Sequence, residues 1–199
     1  YLVNGPLGYD GSAKLSGKKP IRGARQKGSQ VTMSGLDFSG KLTYYGIKGL
    51  DLGLAAYMGK TESSLYNGVN RDSINLMAMA DSSSIGVQML GVDYRYQNKN
   101  FETRGELIIA NLSNTNQYNE FTGKDMGNSA VGYYIEAGYN IAALLKIKKK
   151  LVPFVRYSNY NTHHNVNQGD FANLSYQSSI LTSGLTYYLN TNFVAKVDF

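Results

Sequence analysis

The 199 residues carry a formal charge of +6, with no Cys and no Trp but 17 Tyr, 22 Gly and only 3 Pro. Lack of Cys excludes a disulfide framework or a thiolate site, and the plentiful Tyr, Leu, Ile and Val exclude a disordered chain. No apolar run approaches the roughly 18 residues that a membrane helix requires.

Residues 5–30 form a Gly- and Ser-rich segment that reads as a flexible external loop. It holds six bases, Lys14, Lys18, Lys19, Arg22, Arg25 and Lys27, against the single acid Asp10. Arg22, Arg25 and Lys27 are its candidate anion-attracting residues if it folds into a pore. On the outer surface it would instead bridge lipopolysaccharide, and a merely solvated loop stays open as a third reading.

From residue 36 onward the dominant signal is alternation with period two. Eight strands are expected, at 36–44, 50–58, 90–97, 101–109, 131–139, 151–158, 180–189 and 193–199. In the first, Leu36, Phe38, Leu42 and Tyr44 share one face while Asp37, Ser39, Lys41 and Thr43 share the other. Later strands repeat the scheme, with Leu52 and Leu54, Leu107 and Ile109, Ile135, and Leu185 on the apolar side. Connections after Tyr45, Tyr96, Ile141 and Leu189 are short, whereas 59–85, 111–130 and 158–176 are long and polar. Membrane barrels alternate short periplasmic turns with long external loops. Strands that run down to a short turn end in an outward Tyr (Tyr44, Tyr94 with Tyr96, Tyr139, Tyr187), where an aromatic girdle belongs. The fold class expected is all-β, an antiparallel transmembrane β-barrel in which residues 1–199 are part of one domain. On this parity Tyr1–Asn4 is the tail of an earlier strand, and the last strand ascends, so a further loop and strand are expected.

Several segments together carry a family likeness: IRGARQKG (21–28), GVDYRYQNKNFETRGELIIA (91–110), GYYIEAGYNI (132–141), LVPFVRYSNYNT (151–162) and GLTYYLNTNFVAKVDF (184–199). In this order the chain resembles the C-terminal half of the phosphate-selective porin family (O and P type), as found in Bacteroidetes. The resemblance implies a homotrimer in the bacterial outer membrane, each barrel having roughly sixteen strands around a watery lumen. It does not by itself imply that phosphate is the solute.

The polar parity supplies candidate pore-lining residues: Lys41, Asp51, Asp93, Arg95, Glu102, Arg104, Glu106, Glu136 and Arg156. With Asp37, Lys196 and Asp198 the wall has seven acids and five bases, so it is no anion filter by itself. Neutralisation of Asp93 by Arg95, and of Glu102 and Glu106 by Arg104, is the expected state, a transverse field the alternative. The run Lys146, Lys148, Lys149, Lys150 reads as an interfacial anchor on a periplasmic turn. His163 and His164 lie in a long loop without further ligands, so neither a metal site nor a catalytic triad is expected. The function expected is passive diffusion of small hydrophilic solutes or ions through a porin, possessing no enzyme activity, cofactor or nucleic-acid partner. Outer-membrane lipid and lipopolysaccharide are the expected surroundings. A small structural or adhesive barrel without a channel is the alternative, and a hydrolase barrel using His163 near Asp170 is a weaker third.

Overall fold

A computed structural model describes all residues except 27, 29, 30, 32, 34, 71 and 191, so Lys27 lies outside the described residues. Alternation becomes an antiparallel sheet of nine strands. They are β1 (Leu2–Val3), β3 (Asp37–Ile47), β4 (Leu50–Lys60), β6 (Gly86–Asn98), β7 (Phe101–Ser113), β8 (Ser129–Tyr139), β9 (Leu151–Asn165), β10 (Gln177–Tyr188) and β11 (Val194–Asp198). Two short strands, β2 (Leu7–Tyr9) and β5 (Glu62–Ser63), pair in parallel beside it. Every neighbouring pair of large strands is consecutive along the sheet, and the sheet is open: β1 and β11 do not pair with each other.

Register decides which residues share a face. One row runs Leu42–Leu54–Val92–Leu107–Tyr133 across five strands, and the next runs Tyr44–Leu52–Tyr94–Gly105–Ile135–Tyr157–Leu181 across seven. Most of these side chains stay in the open, Leu42 and Leu181 each at 71 % exposure, while Tyr94 is half-buried over Gly105. The opposite face carries Asp51–Arg95–Arg104–Glu136–Arg156–Thr182 in a single row. A water-soluble sheet would turn its apolar face toward a core. Here the apolar face is bare and the charged one is partly covered.

Tight turns lie at one end of the sheet. Gly49, at φ +80°, takes a left-handed position between β3 and β4, and its carbonyl accepts the Gln97 N–H at 2.7 Å. A Cβ there would stand 2.3 Å from the Gln97 carbonyl oxygen, so close approach as well as φ demands glycine. The turn expected after Ile141 is not short: 140–150 separate β8 from β9. Asn140 Oδ1 holds both ends of this connection, accepting from Ala142 N and Leu151 N.

The other end holds the long connections, which contain two helices that alternation did not foretell, α1 (Ile74–Ser82) and α2 (Thr115–Thr122). In α1 the sequence Met-Ala-Met-Ala hides the helical period, and α2 is nearly all polar. Strand β9 also continues seven residues past the expected end, with a bulge opposite Ser129–Val131. The buried core sits at this end, made by Leu15, Ala24, Ile85, Val87, Leu112, Tyr118 and Met126.

Candidate functional site

Leu15 and Ala24 belong to the basic N-terminal segment, so that segment is docked on the sheet. It packs on the charged face: Val87 and Leu112 are register partners there, and Ile21 packs against the same cluster together with Tyr57 and Met89. Tyr118 from α2 donates to Gly8 O at 2.8 Å, and its hydroxyl accepts from Leu15 N. Farther across, Thr162 Oγ1 on β9 donates to Gly17 O at 2.6 Å. The chain turns back at Ser16–Lys19 and returns to Gly5, whose carbonyl accepts from Gln26 Nε2. Residues 5–26 therefore form a strap that touches β4, β6, β7 and β9 on one face, near the end remote from the tight turns.

At its far tip the strap is latched. Asp125 Oδ1 accepts the Gly17 N–H at 3.0 Å, and Asp125 Oδ2 accepts the Tyr176 hydroxyl. Burial pushes the Asp125 carboxyl up, but these hydrogen bonds, with His163 nearby, hold it below its ordinary value of 3.8. Donation to Asp125 in turn holds the Tyr176 hydroxyl above its usual range. His163 is buried, accepts from Asn173 N at Nδ1, and thus donates from Nε2 to Asp125 O at 2.6 Å. It lies on β9 rather than in a loose loop. The polar composition of 159–165 hides this extension of the strand.

Arg22 and Arg25 are exposed and line an open hollow of about 490 Å³ with Tyr57 and Met89 of the charged face. Lys18 and Lys19 are exposed at the turn, while Lys14 is paired with Asp10 at 2.7 Å.

All nine sequence-derived wall residues fall on the charged face, but their partners differ from the expected ones. Glu136 stands in register between Arg104 and Arg156 and binds both. Its Oε1 accepts Arg104 Nη2 at 2.7 Å and Nε at 2.8 Å; its Oε2 accepts Arg156 Nη2 at 2.6 Å and Nε at 2.8 Å. Asp93 pairs with Lys41 at 2.6 Å, not with Arg95. Glu102 pairs with Lys150 at 2.7 Å, not with Arg104. For Glu136 the directly opposed cross-strand residues stand about 5 Å away, closer than the about 7 Å between same-face residues on one strand, so the cross-strand partners win. Lys41 reaches Asp93 over β4 at Gly53, where a Cβ would come within 2.2 Å of Asp93 Oδ2. Among the described residues, Asp51, Arg95 and Glu106 have no ion-pair partner. Asp37, although on the wall face, is buried and receives Tyr57 OH and Lys60 N.

Lys196, counted with the wall from its parity, is stacked 4.2 Å over the Phe154 ring in a wall pocket that includes Arg95 and Arg104. Among the described residues there is no group of three His, Asp or Glu arranged to hold a metal, and no helix long and apolar enough to cross a membrane.

No family model matches the chain. An uncharacterized protein of Aquifex aeolicus (strain VF5) is 24 % identical over 200 residues, a match that takes in all of this chain and 44 % of that protein. The chain thus spans less than half the length of the curated relative it matches.

Proposed function

We propose that the sheet is an arc of an outer-membrane β-barrel pore through which small hydrophilic solutes diffuse passively. The carrying observation is the inversion of faces: one face of seven strands is apolar and mostly bare, while the opposite face is charged and carries a basic strap. Lipid satisfies the first face and an aqueous lumen the second. Soluble monomers rarely leave an apolar patch of such extent open. An open sheet in lipid leaves edge N–H and C=O groups unsatisfied, so further strands close the barrel, in keeping with a relative more than twice as long. No enzyme chemistry or cofactor enters this reading, and a homotrimer bounded by lipopolysaccharide fits it.

Within the pore, selectivity falls to the strap. Among the described residues, six of the nine candidate wall charges are neutralised in ion pairs, and those left without one are Asp51 and Glu106 against Arg95, with Lys196 and Asp198 balancing each other on the last strand. Arg22 and Arg25, which have no ion-pair partner among the described residues and line the wall hollow, set a positive potential there. Small anions are the favoured solutes.

Planar-bilayer recording of the full-length protein tests this. An ohmic conductance is expected, with a reversal potential that moves toward cations when Arg22 and Arg25 become Gln. That shift should shrink as salt rises, since the screening length is about 10 Å at 0.1 M. Folded protein that conducts nothing refutes the pore and favours a structural barrel; an unchanged reversal potential at low salt removes the strap from the conducting path.

A further inference from the structure

The connections at the tight-turn end share a composition that pore function does not use. Residues 48–49, 99–100, 140–150 and 189–193 contain Lys48, Lys99, Lys146, Lys148, Lys149 and Lys150, and no acid. Lys150 is taken by Glu102 and the Tyr188 ring. Lys146 and Lys148 are exposed and have no acidic partner among the described residues, and Lys149 donates to the Leu189 carbonyl.

The longest of the four connections is a built protrusion. Leu145 N donates to Ile141 O at 3.1 Å and Ile147 N to Ala142 O at 2.9 Å, giving one helical turn. Lys146 ends it in a left-handed conformation, φ 54°. Ala142 is buried, but Leu144 is 73 % exposed, and Leu145 and Ile147 are exposed as well. Apolar tips thus alternate with ammonium groups on a single turn that water would not favour. The turn directly follows Tyr139 and precedes Leu151, the register partner of Tyr187, so it continues the exposed apolar face at its aromatic rim.

We propose that residues 141–149 form a foot that dips Leu144, Leu145 and Ile147 into the membrane interface and sets Lys146, Lys148 and Lys149 against anionic phospholipid headgroups. This rests on the membrane reading of the sheet. Charge complementarity selects the partner: three cations with no local acid match a negative leaflet surface, and long Lys stems let the ammonium reach headgroups while their methylenes stay with lipid. Apolar insertion and headgroup attraction reinforce each other at such an interface.

The test folds full-length protein into phosphatidylcholine vesicles, with or without phosphatidylglycerol, that carry brominated lipids. These 199 residues lack Trp, so an introduced one adds its own signal over the parent protein. Leu107→Trp, in the middle of the apolar face, should be quenched by bromines deep in the acyl chains whatever the headgroup. Leu144→Trp should be quenched by bromines near the headgroups, more strongly with phosphatidylglycerol. That increment should be lost at high salt and in K146Q/K148Q/K149Q. Quenching of Leu107→Trp without quenching of Leu144→Trp overturns the foot alone, and directs attention to a protein or cell-wall partner for the lysines. Quenching of Leu144→Trp that ignores phosphatidylglycerol overturns the headgroup pairing. Without quenching of Leu107→Trp, the membrane reading and the foot fall together.

Discussion

Arg placed at Leu107 separates a lipid-facing sheet from one standing in water. Leu107 is the seventh of thirteen residues in β7, flanked in register by Val92 and Tyr133, and 39 % exposed. Six residues at about 3.4 Å each, along a strand tilted about 40°, put it roughly 15 Å from either strand end, near the midplane of the apolar band. A lipid-facing Arg at that depth costs about 2–4 kcal/mol, falling to about 0–1 kcal/mol near the rim. A surface substitution in water would stay within about 0.5 kcal/mol. The neighbouring residue gives the control, because Ile108 points to the charged face between Gly91 and Gly132. Asn111, on the same face as Leu107 but near the strand end, gives the rim value. Denaturant unfolding from vesicles should therefore rank Leu107→Arg well below both Asn111→Arg and Ile108→Arg. Equal midpoints for Leu107→Arg and Ile108→Arg would refute the assignment of faces.

Two further perturbations probe the wall and the latch. Glu136→Gln leaves the Arg104 and Arg156 guanidinium groups without their shared acid; with the Glu136 side chain only 12 % exposed and both Arg more open, a loss of about 1–2 kcal/mol is expected. The reversal potential should move toward anions, and a potential that does not move means this row is off the conducting path. Asp125 has a depressed folded value, so its contribution to strap docking is complete above about pH 3.8 and lost as pH falls through that lower value. Hydrogen exchange at the Gly17 amide, corrected for intrinsic rate, should show protection fading there, and Asp125→Asn should lack the pH step; a pH step retained in the variant contradicts the latch.

Faces and most strand positions were legible in the sequence because a half-buried strand must alternate, and the parity read from Leu42, Leu54, Leu107 and Ile135 is the one the register brings together. Pairing was not legible, since Glu136 meets Arg104 and Arg156 through inter-strand register, which alternation within a strand does not encode. The same holds for Lys41 with Asp93, which depends on Gly53 lying between them. The strap looked like a free loop because Gly, Ser and Lys dominate it, and its two anchors, Leu15 and Ala24, are single apolar residues without period. His163 was placed in a loop because residues 159–165 are nearly all polar, without the apolar alternation that marks a strand.

The most direct test of a lipid face backed by an aqueous one is a cysteine scan along β7, practicable because these 199 residues have no Cys of their own. Single Cys from 104 to 110, in the protein folded into vesicles, would be challenged with a charged water-soluble maleimide and with a lipid-soluble quencher of an attached fluorophore. Positions 104, 106 and 108 should react with the maleimide, and 107 and 109 should contact the quencher; Gly105 is left out of the comparison, being buried under Tyr94. Maleimide reaction at 107 and 109 as fast as at 106 and 108 would contradict a lipid-facing sheet.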